Sequence, residues 1–409
     1  MKLDLNDMLY SLSYALDCVE AEIFGVKPFH SERVAYLCIQ IAKAYDLSQE
    51  DMLHLTAAAV LHDNALTEYI SIRRHQTSRP TDARTNLPAG TLLKGHCDMG
   101  ERNVQVLPFY DAIRGAVLYH HEHADGSGPF GMTHDQTPLF AQFIHLADTL
   151  DNVFDLTDVS DAAHDKIHAY LDSYAGSLFC PSLVEACHRS FPQAIHTLFL
   201  DEEARTLIHG EFPVQPREYD DEAIVGLATM FARIVDYKSH FTCTHSLGIA
   251  QKASQLGRFY GYDQETCTKL YLAGALHDIG KLTISNDILE KPAGLTADEF
   301  TTMKGHALAS WNILKRMTGL EEITSWAALH HEKLNGKGYP FGRTAAELNK
   351  FERLMGCIDI YQALTESRPY KDGYSHEKAL SIMSGMAQKG FIDKDIVTDI
   401  DRCFTNNSL

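Results

Sequence analysis

Apolar residues recur at intervals of three and four along most of this chain, and runs of strict alternation are scarce. The stretch Ile224-Val225-x-Leu227-Ala228-x-x-Phe231-Ala232-x-Ile234-Val235 is typical, because a 3.6-residue period gathers its apolar positions on one side of a helix. The same spacing predicts helices over 34–44, 52–61, 112–119, 269–276 and 323–329. Breakers separate them at Gly280, Pro292-Ala293-Gly294, Gly336 to Pro340, and 85–90 with its Pro88. Thr296, followed three residues on by Glu299, predicts a capping box opening the helix that carries His306. The expected fold class is all-α.

The pattern occurs twice. His245, His277, Asp278, His306, His330, His331 and Asp359 repeat the order of His30, His62, Asp63, His96, His120, His121 and Asp148. The offset is 215 for the first members (245 − 30, 277 − 62), 210 for the middle ones (306 − 96, 330 − 120) and 211 for the last (359 − 148). Lys94-Gly95-His96 returns as Lys304-Gly305-His306, and the text from Asp165 to Phe191 resembles that from Glu377 to Phe404. Seven donor types in one order, twice, are a duplication signature. The expected division is a first repeat over 1–192, a connector over 193–218 containing Pro213 and Pro216, and a second repeat over 219–409.

Composition narrows the partners. A chain of 409 residues suggests two or three domains with ample apolar content. The first ten residues lack a signal-peptide pattern, and no 18-residue apolar run predicts a membrane span. Nine cysteines without a CxxC pair argue against a disulfide framework and predict a cytoplasmic setting. A net charge of −19 excludes a broad surface for long nucleic acid.

An adjacent His-Asp pair at a helix end projects its side chains about 100° apart, close enough to engage one metal cluster. A carboxylate among imidazoles can bridge two ions, and such a pair clamps an in-line phosphoryl displacement. Seven donors per repeat exceed one tetrahedral zinc site. Their mix suits two divalent ions, iron or manganese first, with nickel, cobalt or zinc also accepted by imidazole.

His277-Asp278-Ile279-Gly280-Lys281, then His306, His330-His331-Glu332, Gly338-Tyr339-Pro340 and Asp359, resembles the HD-GYP subgroup of HD-domain phosphohydrolases over residues 219 to about 404. The resemblance implies two tandem HD-domain helical bundles, the second HD-GYP-like. It implies hydrolysis of a cyclic dinucleotide, cyclic di-GMP or 3′,3′-cGAMP, to the linear form. It also implies that His245, His277, Asp278 and Asp359 hold one ion, and that Asp278 bridges to a second held by His306, His330 and His331. Lys281 would stabilise charge on the phosphate, with Asp278 and Lys281 as the catalytic pair. Arg368 and Lys371 match the subgroup's ligand-contacting segment. A homodimer and partner signalling proteins stay open as further partners.

Several positions depart from that subgroup. Asn335 and Gln362 stand where Asp is usual, and Phe241 stands where members with a third metal carry Glu, which favours two ions. In the first repeat Leu66 takes the place of Lys281, Gly128-Pro129-Phe130 takes that of Gly-Tyr-Pro, and the acidic 154–158 follows Asp148. An expansion between His62 and His96 contains Arg73, Arg74, His75 and Arg79, expected as solvated surface. The second repeat is therefore expected to be catalytic, and the first to bind metal with little turnover. Rival readings are a phosphohydrolase for other nucleotides or phosphate esters, and a non-catalytic cyclic-dinucleotide receptor or scaffold.

Overall fold

The computed structural model describes residues 1–24, 29–66, 68–70, 72, 89–158, 160–194, 208–238, 245–291, 293–367 and 372–405. The chain divides into two units, Asp4–Pro216, and Met1–Leu3 together with Arg217–Leu409. Both are helical. Apart from isolated bridges, the extended structure among the described residues is Lys2–Leu3 paired antiparallel to Arg217–Glu218, within the second unit.

The first unit opens with Leu5–Phe24 and continues through His30–Ala44, Gln49–Val60, Ala89–Val104, Leu139–Val153, Asp161–Tyr174 and Pro181–Ala194. The second opens with Asp221–Tyr237 and continues through His245–Phe259, Gln264–Leu276, Ala297–Leu314, Lys350–Thr365, His376–Gln388 and Lys394–Thr405. The repeated donor order is thus carried by a repeated order of helices.

Side-chain caps set the helix starts. Asp220, Asp263 and Ser48 each accept a first-turn N–H, from Ala223, Thr266 and Asp51. Thr296 and Glu299 form the expected capping box, and Asn349 with Glu352 forms another. The predicted apolar stripe is the buried face: Ile224, Leu227, Ala228, Phe231 and Ala232 are all within 2% of full burial. Each large member contributes roughly 1.5–3 kcal/mol by leaving water.

One predicted helix is mostly absent. The segment 112–119 is helical only as part of Tyr110–Ile113, because Gly115 adopts a φ of 78° and turns the chain out of the helix. Glu101 holds that turn by accepting the Gly115 and Leu118 N–H groups at 2.7 and 3.1 Å. The counterpart in the second repeat persists as Glu321–Ala328.

The described end of the expected connector packs on the first helix of its own unit. Ile208 and Phe212 are buried, His209 stacks on Tyr10 with ring centroids 4.2 Å apart, and Asn6 donates to the Pro213 carbonyl. Apolar side chains in that segment make it part of the core. Among the described residues, no helix is long and apolar enough to cross a membrane. Arg73, Arg74, His75 and Arg79 lie outside the described residues.

Candidate metal centres

In the second repeat, His245 opens one helix, His277 closes the next, and Asp278 precedes a short 3₁₀ turn, Ile279–Thr283. His306 and Asp359 project from helix interiors, and His330 and His331 lie in the turn after Glu321–Ala328. Gly280 lets the 3₁₀ turn lie against helix Ala297–Leu314, since a Cβ there would stand 2.0 Å from the His306 carbonyl oxygen. Ser310 ties the junction, accepting from the Gly280 N–H and donating to the His277 carbonyl, both at 2.9 Å.

The backbone fixes the imidazoles. His277, His306 and His330 donate from Nδ1 to the carbonyls of Gly274, Met303 and Ala327, at 2.8, 2.6 and 2.6 Å. A carbonyl can only accept, so each Nδ1 carries the proton and each Nε2 lone pair is available inside. His62 and His120 do the same toward Ala59 and Val117.

Asp278 divides its two oxygens between two groups. Oδ2 lies 3.0 Å from His277 Nε2, whereas Oδ1 lies 3.3 and 3.8 Å from Nε2 of His306 and His330. Asp359 closes the first group with Oδ1 3.4 Å from His245 Nε2, and its Oδ2 faces His331 at 3.9 Å. Donor atoms of His245, His277 and Asp359 form one cluster, those of His306, His330 and His331 another, and those of His277, Asp278 and His330 span the two. In the first repeat Asp63 splits likewise, with Oδ2 toward His62 at 3.6 Å and Oδ1 toward His96 and His120 at 3.2 and 3.5 Å. Asp148 lies 3.2 Å from His30, and His121 joins His96 and His120 in one cluster.

These donors fit metal ions. His277 Nε2, His306 Nε2, His330 Nε2, Asp278 Oδ1, His62 Nε2, His120 Nε2 and Asp63 Oδ1 are buried without a hydrogen-bond partner among the described residues. Leaving such an atom unsatisfied costs roughly 1–3 kcal/mol, and converging lone pairs are what a divalent cation relieves. Charge agrees. Burial and the neighbouring His331 hold His330 well below its ordinary value, and burial brings His331 down to about 4, so both are neutral. Burial would raise Asp278, but His277 and Lys281 outweigh it and keep the carboxylate well below its usual range. His245 differs: burial opposes its charge, yet Asp359 and Glu366 raise it to about 9.

Lys281 bonds Asp278 Oδ2 and keeps 22% of its side chain exposed, while its counterpart Leu66 is a buried apolar group. Asn335 accepts from the Lys337 N–H at 3.2 Å as Asp125 accepts from Ser127 at 2.8 Å, so Asn preserves the loop's turn. Gln362 accepts from Lys252 at 2.7 Å. An offset of 211 aligns it with Asp151, which binds His30 Nδ1 at 2.7 Å and takes both Nε and Nη2 of Arg33. In the second repeat Glu366 binds His245 Nδ1 instead, at 3.0 Å.

The loop after the His-His-Glu motif corrects a sequence reading. Glu332 accepts from the N–H groups of Phe341, Gly342 and Arg343, and Glu122 accepts from those of Phe130 and Met132. Gly131 and Gly342 share a positive φ, and Asp125–Thr133 matches Asn335–Thr344 as a bridge. Phe130 therefore aligns with Phe341 and Pro129 with Pro340, so the first repeat lacks Tyr339 rather than replacing Tyr-Pro by Pro-Phe. Tyr339 packs on His331 with ring centroids 4.7 Å apart.

Cys97, Glu366, Asp151 and Asp236 were not anticipated. Asp236 accepts from both the N–H and the hydroxyl of Ser246, capping the helix that begins with His245, and Asp17 accepts from the Ser31 N–H in the same way. The signal for Cys97 was its place directly after His96, where the second repeat has Ala307 after His306. Arg368, Lys371 and Phe241 lie outside the described residues.

Comparison with known proteins agrees with this duplication. The HD-domain family model matches residues 18–183 and again 229–396. The 3′3′-cGAMP-specific phosphodiesterase 1 of Vibrio cholerae is 28% identical over 98% of this chain and 91% of its own length. A probable cyclic di-GMP phosphodiesterase of the same organism is 38% identical over 33% of each chain. The solved structure of a cyclic GMP-AMP-specific phosphodiesterase of V. cholerae shares the fold, with a TM-score of 0.64 at 24% identity over 99% of this chain and 98% of that one. Two matches in tandem, each containing one complete donor set, make this chain a member of the HD-domain family.

Proposed function

We propose that the second repeat is a metal-dependent phosphodiesterase that opens a cyclic dinucleotide to its linear form, and that the first repeat holds metal with little turnover. The observation that carries this reading is the division of the Asp278 oxygens between two imidazole groups, with Lys281 on the same carboxylate. His245, His277 and Asp359 would hold one divalent ion, His306, His330 and His331 the other, with Asp278 between them. Bound there, a pair of iron or manganese ions supplies Lewis-acid polarisation of the phosphate and an activated water at neutral pH.

The chain's own residues do the rest. Lys281 is part-exposed beside the cluster, so its ammonium can leave Asp278 for a non-bridging phosphate oxygen as charge develops there. Gly280 and Ser310 hold the turn that sets its reach. Tyr339 and His331 wall one side, and a cavity of about 350 Å³ opens beside His331, Tyr339 and Asp359. Arg368 and Lys371 are assigned substrate contacts from their place after Asp359. In the first repeat, Leu66 and the missing tyrosine remove the corresponding groups.

A relative aligned along nearly the whole chain is named for 3′3′-cGAMP, and a relative named for cyclic di-GMP aligns along a third. This favours 3′,3′-cGAMP as the better substrate. Product analysis with both dinucleotides, under Mn²⁺ and under anaerobic Fe²⁺, tests the reading. Linear dinucleotide from 3′,3′-cGAMP supports it, and no linear product from either substrate refutes it.

A further inference from the structure

Cys97 is fully buried in the first repeat, and its Sγ lies 3.6 Å from His96 Nε2; it also lies 3.8 Å from His120 Nδ1, the nitrogen that donates to Val117 and leaves Nε2 as that ring's ligating atom. His96, Cys97, His120 and His121 together offer four donor atoms all within 4.8 Å of one another. A buried cysteine is often a small apolar filler, and Ala307 fills this position in the second repeat. Two observations point instead to a ligand. His120 Nε2 and Asp63 Oδ1, beside the same cluster, are buried and lack hydrogen-bond partners among the described residues. The sulfur–nitrogen separation of 3.6 Å is also what a tetrahedral ion needs. Bonds of about 2.3 Å to sulfur and 2.1 Å to nitrogen put those two atoms about 3.6 Å apart.

We propose that Cys97 is a sulfur ligand of the first repeat's metal centre, which makes that centre a thiolate-bearing site for Zn²⁺ while the second repeat's donors are nitrogen and oxygen only. Thiolate sulfur selects zinc and other soft ions, whereas imidazole–carboxylate sets accept iron and manganese. The two repeats then take different metals from one cell. The side chain that distinguishes them is buried, which suits a lasting ligand more than a thiol that reacts with solutes. The proposal rests on the reading that the first repeat holds metal, and it is independent of turnover in the second.

Cobalt(II) titration of the full-length chain reads a sulfur ligand directly, through sulfur-to-cobalt charge-transfer absorption in the near ultraviolet. Wild type and Cys38→Ala are expected to show the band; Cys97→Ala and Cys97→Ser are expected to lose it. Zinc affinity at that centre should fall in both Cys97 variants by at least the roughly 10–100-fold that losing an outer partner costs. Ala307 in the matching position indicates that Cys97→Ala folds, and the serine variant keeps the volume. A wild type without the band, whose bound metal nevertheless drops in His62→Ala/Asp63→Ala, overturns Cys97 as a ligand and leaves the first-repeat centre standing. If His62→Ala/Asp63→Ala removes no bound metal, the first-repeat centre fails and the proposal with it.

Discussion

His245 donates from Nδ1 to Glu366 at 3.0 Å, whereas its counterpart His30 donates to Asp151, which lies one helical turn nearer the metal-facing aspartate in sequence. The second repeat has moved this support from the position of Gln362 to Glu366. A carboxylate behind a ligating histidine fixes its ring and raises its basicity, and its loss typically costs 10–100-fold in affinity or activity. Glu366→Gln should therefore weaken metal binding by about that factor, with Gln362→Ala affecting it less. Metal titration of both variants checks this, and equal affinities would mean that Glu366 does not position His245.

The same pair predicts a pH dependence in metal-stripped protein. Asp359 and Glu366 raise His245 from 6.5 to about 9 against the effect of burial. Because the folded value lies above the unfolded one, this contribution is complete below pH 6.5 and is lost as pH rises through about 9. Asp359 is depressed, chiefly by His245 working against burial, so its contribution is present above about pH 4 and is lost on acidification. The melting temperature of chelator-treated protein should fall between pH 6.5 and 9, and less steeply in Glu366→Gln. Parallel curves for the two proteins would contradict the assignment.

Asp278→Ala and Lys281→Ala should separate binding from chemistry. The first removes a carboxylate shared by two imidazole groups and should lower bound metal and abolish hydrolysis. The second should keep the metal and lose roughly 10²–10³-fold in kcat, as for other preorganised charge partners. A Lys281→Ala enzyme with unchanged kcat and metal content would reduce that lysine to a local partner of Asp278.

Gly280→Ala tests the turn. Its Cβ would meet the His306 carbonyl oxygen at 2.0 Å and the Ser310 nitrogen at 2.5 Å, both backbone atoms that cannot swing away. Overpacking of this kind costs about 1–3 kcal/mol, and displacing His306 should weaken metal binding as well. A melting temperature equal to wild type would show that the junction is slack.

Both donor sets were legible because ligand identity and order survive in sequence even where the spacing between them drifts. The helices were legible from apolar period wherever no left-handed residue intervened. Gly115 breaks the 112–119 helix through a backbone angle that periodicity does not encode. The missing Tyr339 was hidden because Gly-Pro-Phe reads as a substitution until Glu122 and Glu332 fix the loop register. The move of the histidine partner to Glu366 was hidden too, since nothing in the spacing says which carboxylate faces which ring. Cys97 was visible in the sequence beside His96, but only packing shows its sulfur near two imidazoles.

The most direct measurement is 3′,3′-cGAMP hydrolysis by the full-length chain, loaded with Mn²⁺ or anaerobically with Fe²⁺, with linear product resolved by chromatography. Wild type and His62→Ala/Asp63→Ala should form linear dinucleotide, and His277→Ala/Asp278→Ala should form none. Turnover that survives loss of His277 and Asp278 but disappears with His62 and Asp63 would place the chemistry in the first repeat and contradict the assignment of the second as catalytic.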